Sequence, residues 1–174
     1  LAATSEILAL ACEWRPMQAT LVPEKREEVT TEGGLALTEA AHLESTGKAL
    51  DQLVSSGIRA SLFVDPDETS IQAAADIGAD AVELHTGEYA NATTATRAEE
   101  ISRLRRASAL AKELGISVHA GHGLTYENVS PIASIPEIEE LNIGHSIVAR
   151  SVFTGLERAV RDMAKIIRQA RLKA

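Results

Sequence analysis

The sequence of 174 residues lacks the features that are typical of disulfide-rich, membrane and secreted proteins. Its single cysteine, Cys12, excludes a disulfide scaffold and a cysteine-rich metal site, and it fits a reducing compartment. No run of 18 or more apolar residues is present to span a bilayer, and no basic segment followed by an apolar one resembles a signal peptide. We therefore predict a cytoplasmic protein without a membrane partner.

Positive charge is also scarce, since 17 Lys and Arg stand against 25 Asp and Glu and the net charge is −8. This balance argues against nucleic acid as the main partner. It is compatible with a small phosphorylated ligand, which a few backbone amides and basic side chains can hold locally. Because 45% of the residues are hydrophobic and no low-complexity linker interrupts them, we predict a single domain over residues 1–174.

Short apolar runs alternate with longer amphipathic segments along the chain. The runs have the length and composition of strands in a parallel sheet that is covered by helices and apolar on both faces. Predicted strands cover residues 17–22, 60–64, 81–84, 116–119 and 141–143. Predicted helices cover residues 4–13, 38–55, 68–77, 96–114 and 146–171.

Three predicted helices end at a glycine that precedes a predicted strand: Gly57, Gly78 and Gly115. Such joints close a helix and predict consecutive βα units. A doubly wound sheet usually carries a G-x-G-x-x-G fingerprint after its first strand, and none is present. A (β/α)8 barrel needs about 250 residues, and here a helix precedes the first predicted strand. We therefore expect an α/β fold, the C-terminal five βα units of a TIM (β/α)8 barrel, with about three N-terminal strands absent from the sequence.

Polar residues follow the predicted strands, and four of the five histidines lie at or just past a strand end. In a barrel those ends share one rim, where catalytic groups are found. Several of these residues also have structural explanations. Asp65 and Asp67 have the pattern of a turn and a helix cap, and residues 24–28 that of a solvated charge run. His85 is explained equally well as a buried histidine bonded to backbone, and His119 lies within a strand, where it can face the helices.

Two histidine motifs are harder to explain structurally. The glycines on both sides of His122 let the backbone approach a ligand and leave the imidazole uncrowded, as a general acid or base requires. Gly144 and His145 follow the last strand and open the last helix, the usual barrel position for a phosphate. His119 and His122 are only a weak metal signal, because no H-x-H or H-E-x-x-H motif stands beside a carboxylate. We predict an acid–base group, a phosphate site and no metal.

Five segments, in order, resemble the pyridoxine 5′-phosphate synthase family. They are LVPEKR with TTEGGL at residues 21–26 and 30–35, SLFVD at 61–65, ELHTG with YA at 83–87 and 89–90, AGHGL at 120–124, and ELNIGHS at 140–146. The resemblance extends over nearly the whole chain and is weakest around residues 38–47. In the family, a Glu base lies just upstream of the position matching Leu1, and further upstream come a second histidine base, an Asn and several phosphate-binding residues. His119 stands where relatives often have Asn.

The resemblance implies a (β/α)8 barrel that condenses 1-deoxy-D-xylulose 5-phosphate with 3-amino-2-oxopropyl phosphate. The products would be pyridoxine 5′-phosphate, phosphate and water, in vitamin B6 biosynthesis. It implies octamers and neither a metal nor an organic cofactor. Such a condensation consists of proton transfers that need positioned acids and bases and two anion sites, without redox equipment.

By position within these motifs, His122 would donate a proton and Thr30 would contact the deoxyxylulose phosphate. The aminoketone phosphate would be held by Gly123, Gly144 and His145. Two residues of the ELHTG segment, Glu83 and His85, are candidates for an additional part of the site.

Two other functions remain open. A phosphate-binding barrel isomerase or aldolase would use the same last helix, but it would usually carry a Lys or a Glu at a strand end, where Glu83 is the comparable residue. An inactive fragment or an assembly subunit would account for the absence of the upstream bases.

Overall fold

The computed structural model describes residues 1–23 and 33–173, in which helices alternate with the strands of one parallel sheet. The strands are β1 (Gln18–Leu21), β2 (Arg59–Val64), β3 (Ala81–His85), β4 (Ser117–Gly121) and β5 (Ile138–Asn142). The helices are α1 (Ser5–Trp14), α2 (Ala40–Ser55), α3 (Glu68–Asp76), α4 (Gly87–Asn91), α5 (Arg97–Glu113), α6 (Val129–Ala133), α7 (His145–Thr154) and α8 (Leu156–Arg171). Each predicted strand has a counterpart at its position.

The strands are hydrogen-bonded in the order β1-β2-β3-β4-β5, and every neighbouring pair is parallel. A doubly wound sheet reverses its strand order at a switch point, and this sheet has no such reversal within the described residues. At the free edge of β1, Ala2 forms a parallel bridge with Val22. The chain therefore has an α/β fold in which consecutive strands lie side by side.

One face of the sheet is apolar because the helices pack against it. Leu21, Leu62, Val82 and Val118 occupy one register row across β1 to β4, and all of them are buried. They belong to a core cluster that includes residues of helices α1 to α3, α5, α6 and α8. Burial of this row against the helices is the main force that holds the layers together.

The opposite face is polar, and the prediction that the strands are apolar on both faces is wrong. The neighbouring register row contains Phe63, Glu83, His119 and Glu140. His119 therefore does not face the helix layer. Burial lowers the pKa of its imidazole, the charge of Arg59 lowers it further, and the acidic Glu140 opposes both effects.

Side chains of strands that are not neighbours contact each other on this polar face. Gln18 of β1 lies 3.4 Å from His119 of β4, measured from Nε2 to Nδ1, although two strands separate them. In the same way the Arg59 guanidinium of β2 donates to the Ser117 hydroxyl of β4 at 2.5 Å. These contacts give the buried His119 a polar partner, whereas the buried hydroxyl of Ser61 on the same face has none among the described residues.

Glycines end three helices as predicted, but a fourth glycine corrects one prediction. The last helix is not continuous over residues 146–171, since α7 ends at Thr154 and α8 begins at Leu156. Gly155 separates them with a φ of 81°, in the left-handed region that interrupts a right-handed helix. Ala159, Met163 and Ala170 of α8 are buried, whereas α7 has no buried residue.

The edge of the sheet differs from the prediction as well. β5 covers Ile138–Asn142 rather than residues 141–143, because the strand includes the exposed Glu139 and Glu140 beside the buried Ile138 and so is not an apolar run. The register shifts between Val118 and His119, which pair with Ile138 and Glu140. The short helices α4 and α6 were not predicted, since five residues are too few to establish a helical period. In the part of the chain that the structure describes, no helix is long and apolar enough to cross a membrane.

Candidate active site

The carboxyl ends of β2 to β5 bring four polar side chains to one end of the sheet. Asp65 follows β2, His85 ends β3, His122 follows β4 and Asn142 ends β5. The register pairs His85 with Gly121 and Gly121 with Asn142, so these strands end at nearly the same level. The expectation that strand-end residues share one rim agrees with this geometry.

A carboxylate and an imidazole form a pair within this rim. His85 Nδ1 lies 3.1 Å from Asp65 Oδ1, and since an ionised carboxylate only accepts, the imidazole donates. The backbone amide of Gly34 donates to the same oxygen at 3.0 Å. The His85 hydrogen bond is the largest cause that lowers the pKa of Asp65, while burial acts in the opposite direction. The pair fixes the tautomer of His85, whose buried Nε2 has no hydrogen-bond partner among the described residues.

Asp65 and Asp67, which the sequence analysis explained together, make different contacts in the structure. Asp67 is the N-cap of α3 and accepts from the Ser70 amide at 2.9 Å and from the Ser70 hydroxyl at 2.8 Å. The cap explanation therefore holds for Asp67. Asp65 belongs to the rim instead, which sequence reasoning did not recognise, although its position at a strand end was the available signal.

His122 packs its ring against the same pair. Its ring centroid lies 5.0 Å from that of His85 in an edge-to-face arrangement and 6.5 Å from that of Phe63. Phe63 in turn lies 5.2 Å from His85, also edge to face. The three rings form a cluster that defines the position of the His122 imidazole.

Two glycines provide the space that these side chains occupy. A Cβ on Gly87 would lie 2.4 Å from His85 Nε2 and 3.2 Å from His122 Cδ2. A Cβ on Gly121 would fall on the Glu83 carboxylate. No larger residue fits at either position without moving a side chain of the rim.

Glu83 lies on the polar face beside this cluster. Asn142 Nδ2 donates to Glu83 Oε2 at 2.7 Å. Burial raises the pKa of the Glu83 carboxyl, the negative charge of Glu140 raises it further, and the bond from Asn142 opposes them. A carboxyl with a raised pKa can hold or accept a proton closer to neutrality than an ordinary glutamate.

The second histidine motif lies at the same end of the sheet in a more open setting. Gly144 is the N-cap of α7 and His145 is its first residue, and both are exposed. Ser146 donates from its hydroxyl to the Leu124 carbonyl at 2.8 Å, which ties the start of α7 to the loop that contains His122 and Gly123. The amides at this helix end form a setting suited to an anion.

One predicted site residue cannot be placed. Thr30 lies outside the described residues, together with the charged run at residues 24–28. The structure brings His122, Gly123, Glu83 and His85 together and puts Gly144 and His145 next to them. In residues 1–23 and 33–173, no three His, Cys, Asp or Glu side chains are grouped to hold a metal ion.

Comparison with known proteins identifies relatives over almost all of the chain. Residues 1–169 match the model of the family described as Pyridoxal phosphate biosynthesis protein PdxJ. The pyridoxine 5′-phosphate synthase of Synechococcus sp. (strain CC9605) is 52% identical over 172 residues, which are 99% of this chain and 68% of that protein. The enzyme of the same name from Magnetococcus marinus is 52% identical over 171 residues, 98% of this chain and 70% of that protein. The chain thus spans about two thirds of the length of these relatives.

Two solved structures resemble the fold at low sequence identity. The crystal structure of the Amycolatopsis orientalis BexX/CysO complex matches with a TM-score of 0.62 at 15% identity, over 94% of this chain and 59% of that one. A structure titled Native KDPGal matches with a TM-score of 0.59 at 15% identity, over 97% of this chain and 68% of that one. These likenesses support a TIM-like α/β architecture and carry no information about the reaction.

Proposed function

The chain belongs to the PdxJ family of pyridoxal phosphate biosynthesis proteins, and from that premise we propose that its histidine-bearing rim forms the pyridine ring of vitamin B6. The resemblance seen in the sequence motifs is thereby confirmed, and the relatives carry the name pyridoxine 5′-phosphate synthase. The reaction condenses 1-deoxy-D-xylulose 5-phosphate with 3-amino-2-oxopropyl phosphate to give pyridoxine 5′-phosphate, phosphate and water. Both substrates are small phosphorylated molecules, which the acidic chain can hold through local amides.

The position of His122 is the observation that carries the proposal. Ring closure requires that hydroxyl groups leave as water, and each departure needs a proton delivered to the oxygen. An imidazole suits this task because its ordinary pKa of about 6.5 lies close to neutral pH. His122 follows β4 at the rim, its ring is held by His85 and Phe63, and we assign it the role of proton donor.

Glu83 and His85 support the same chemistry from neighbouring positions. The raised pKa of Glu83 makes it a group that takes or holds a proton near the reacting carbon chain. His85 is bonded to Asp65 and buried, so its part is to hold the His122 ring rather than to touch a substrate. Asn142 orients the Glu83 carboxylate through its bond of 2.7 Å.

The phosphate of the aminoketone is assigned to the start of α7. Gly144 leaves space beside the helix end, since a Cβ placed there would meet no atom of the described part of the chain within 4 Å. The free amides of the first turn and the adjacent His145 supply donors to an anion, and Gly123 lies on the loop that Ser146 ties to this helix. Thr30 is assigned to the deoxyxylulose phosphate by its place in the family motif.

We further propose that residues 1–174 are a single domain and supply five strands to the wall of a (β/α)8 barrel, with about three further strands N-terminal to them. The strand order without reversal supports this, as does the parallel bridge that Ala2 adds at the free edge of β1. The protein is expected in the cytoplasm, without metal or organic cofactor, as an octamer. Exposed apolar residues of α7 and α8 offer a surface for assembly: Val148, Val152, Phe153, Leu156 and Val160. Light scattering on the purified protein measures its oligomeric state.

The activity is tested by supplying the purified protein with both phosphorylated precursors. Pyridoxine 5′-phosphate should appear by its absorbance, with one inorganic phosphate released for each ring formed. A barrel aldolase or isomerase would consume or rearrange one precursor alone and form no nitrogen ring. An inactive subunit would leave both precursors unchanged, and either result would contradict the proposal.

A further inference from the structure

The backbone of His122 is in a conformation that needs outside support. Its φ is 81°, and among the described residues only Arg15 is another non-glycine with a positive φ. A side chain rarely adopts this left-handed region, because the Cβ then crowds the backbone. Such a conformation persists only where its surroundings hold it, and it is found at functional sites for that reason.

Thr86 provides this support from the neighbouring strand end. Its hydroxyl lies 2.7 Å from the carbonyl oxygen of Gly121 and 2.5 Å from that of His122. Its amide donates to the Gly121 carbonyl at 2.9 Å. The two carbonyls belong to the peptide groups before and after the His122 Cα. One residue therefore holds both peptide planes that together set the φ and ψ of His122.

Thr86 is itself rigidly placed. It is fully buried and directly follows His85, the last residue of β3, whose register partner in β4 is Gly121. Its carbonyl accepts from the Ala90 amide at 2.9 Å, at the start of α4. A displacement of His122 relative to His85 would therefore require breaking the bonds of Thr86.

We propose that Thr86 is the positioning residue of the His122 imidazole, a role that rests on the proposed function, in which His122 donates the proton. The hydroxyl shares its proton between the two carbonyls and fixes the loop, so that the imidazole stands at one place relative to the substrate before binding. Misplacement of a catalytic group by about 1 Å can lower the rate about a hundredfold. Because we assign substrate binding to the groups that hold the phosphates, substrate affinity should not depend on the position of the imidazole in this way.

The test compares Thr86→Val, Thr86→Ser and the matched control Ser108→Ala in the enzyme. Valine keeps the shape of threonine without its hydroxyl, and serine keeps the hydroxyl. Ser108 is also fully buried and donates to a carbonyl, that of Leu104 at 2.7 Å, but it lies within α5 away from the rim. We expect Thr86→Val to lower kcat about tenfold to a hundredfold with KM within about threefold. Thr86→Ser and Ser108→Ala should stay within about threefold of the native kcat.

Each other outcome contradicts a defined part of the proposal. If Thr86→Val keeps the native kcat while His122→Asn loses it, Thr86 is not a positioning residue and the proposed function stands. If His122→Asn keeps its turnover, the assignment of the proton donor itself is wrong. Equal losses of kcat in Thr86→Val and Ser108→Ala, or in Thr86→Val and Thr86→Ser, would reduce Thr86 to general packing. If Thr86→Val does not fold, Thr86→Cys takes its place, and a native kcat in that weak donor overturns the proposal.

Discussion

The two histidine-bearing parts of the rim are built in opposite ways. His85 is 6% exposed, and its ring touches those of His122 and Phe63 above a glycine that leaves no room for a side chain. His145 is exposed at the start of α7, and a Cβ on Gly144 would have no atom of residues 1–23 or 33–173 within 4 Å. Groups that move protons need fixed geometry, whereas an anion needs amides and room. The difference suggests that the part around His85 and His122, the rigid part, needs fixed side-chain positions, whereas the part around Gly144 and His145, the open part, needs space for an anion.

The largest effect should come from removing the imidazole in the rigid part. His122→Asn should lower kcat about a hundredfold or more, because proton donation contributes that much, while KM stays within about threefold. His145→Asn should instead raise the KM of the aminoketone phosphate about tenfold with a smaller change in kcat. Steady-state kinetics of both variants measures the contrast. A turnover of His122→Asn within about twofold of native would show that another group donates the proton.

Filling the space in the rigid part should have the next largest effect. In Gly87→Ala the new Cβ would lie 2.4 Å from His85 Nε2, so both imidazoles must shift. We expect kcat to fall about tenfold and the free energy of unfolding to fall by about 1–3 kcal/mol, the usual cost of overpacking. Gly47→Ala is the control, since its Cβ meets nothing within 4 Å in helix α2, and it should add up to about 1 kcal/mol of stability. Urea unfolding and steady-state kinetics of both variants measure these effects. A native kcat and native stability in Gly87→Ala would show that the rim has room for a Cβ at this position.

The open part should tolerate the corresponding change without loss of stability. Gly144→Leu places a side chain where the phosphate is assigned, so the KM of the aminoketone phosphate should rise about tenfold while kcat changes little. The φ of Gly144 is −113°, which any residue adopts, so the Tm should stay within a few degrees of native. Inhibition by inorganic phosphate should weaken in parallel. If the KM is unchanged, the phosphate binds elsewhere on the rim.

The smallest effect concerns His119, which is buried below the rim. Burial lowers its pKa, so the folded protein favours the neutral imidazole. The stability that this provides is present above the ordinary pKa of 6.5 and is lost as the pH falls through the lower pKa of the folded state. His119→Asn should therefore flatten the decline of unfolding free energy between about pH 7 and pH 5. Urea titrations at both pH values measure this, and equal slopes would mean that the charges of Glu139 and Glu140 balance the burial and the charge of Arg59.

The alternating pattern made most of the fold predictable from the sequence. Glycines 57, 78 and 115 marked three helix ends, and each predicted strand has a counterpart at its position. The face of the sheet on which a side chain lies was harder to predict from the sequence. His119 looked capable of facing the helices because one strand alone does not reveal which of its faces lies on the core. Only the register with Glu83 and Phe63 places it on the polar face.

The position of the candidate histidines was predictable, but most of their contacts were not. Motif and position pointed to His122, His145 and Gly144, which do lie at the strand ends, and their roles remain predictions. Asp65 was explained as a turn or cap residue and Asn142 was named only within a motif, since their contacts with His85 and Glu83 join residues 20 and 59 positions apart in sequence. Pairings of that kind depend on three-dimensional geometry, which local sequence patterns do not contain.

The interruption at Gly155 has a consequence for engineering the protein. α8 is anchored by its buried residues, and α7 is attached to it through the bond of Arg150 to Asp162 at 2.6 Å. Arg150 also stacks over Tyr126, whose hydroxyl donates to the Ala159 carbonyl of α8 at 2.8 Å. The exposed residues Gly144 and His145 at the start of α7 take no part in these contacts and lie outside the apolar surface proposed for assembly. Substituting these two residues, and not the whole helix, is therefore the most direct route to a variant that accepts a differently shaped acidic group.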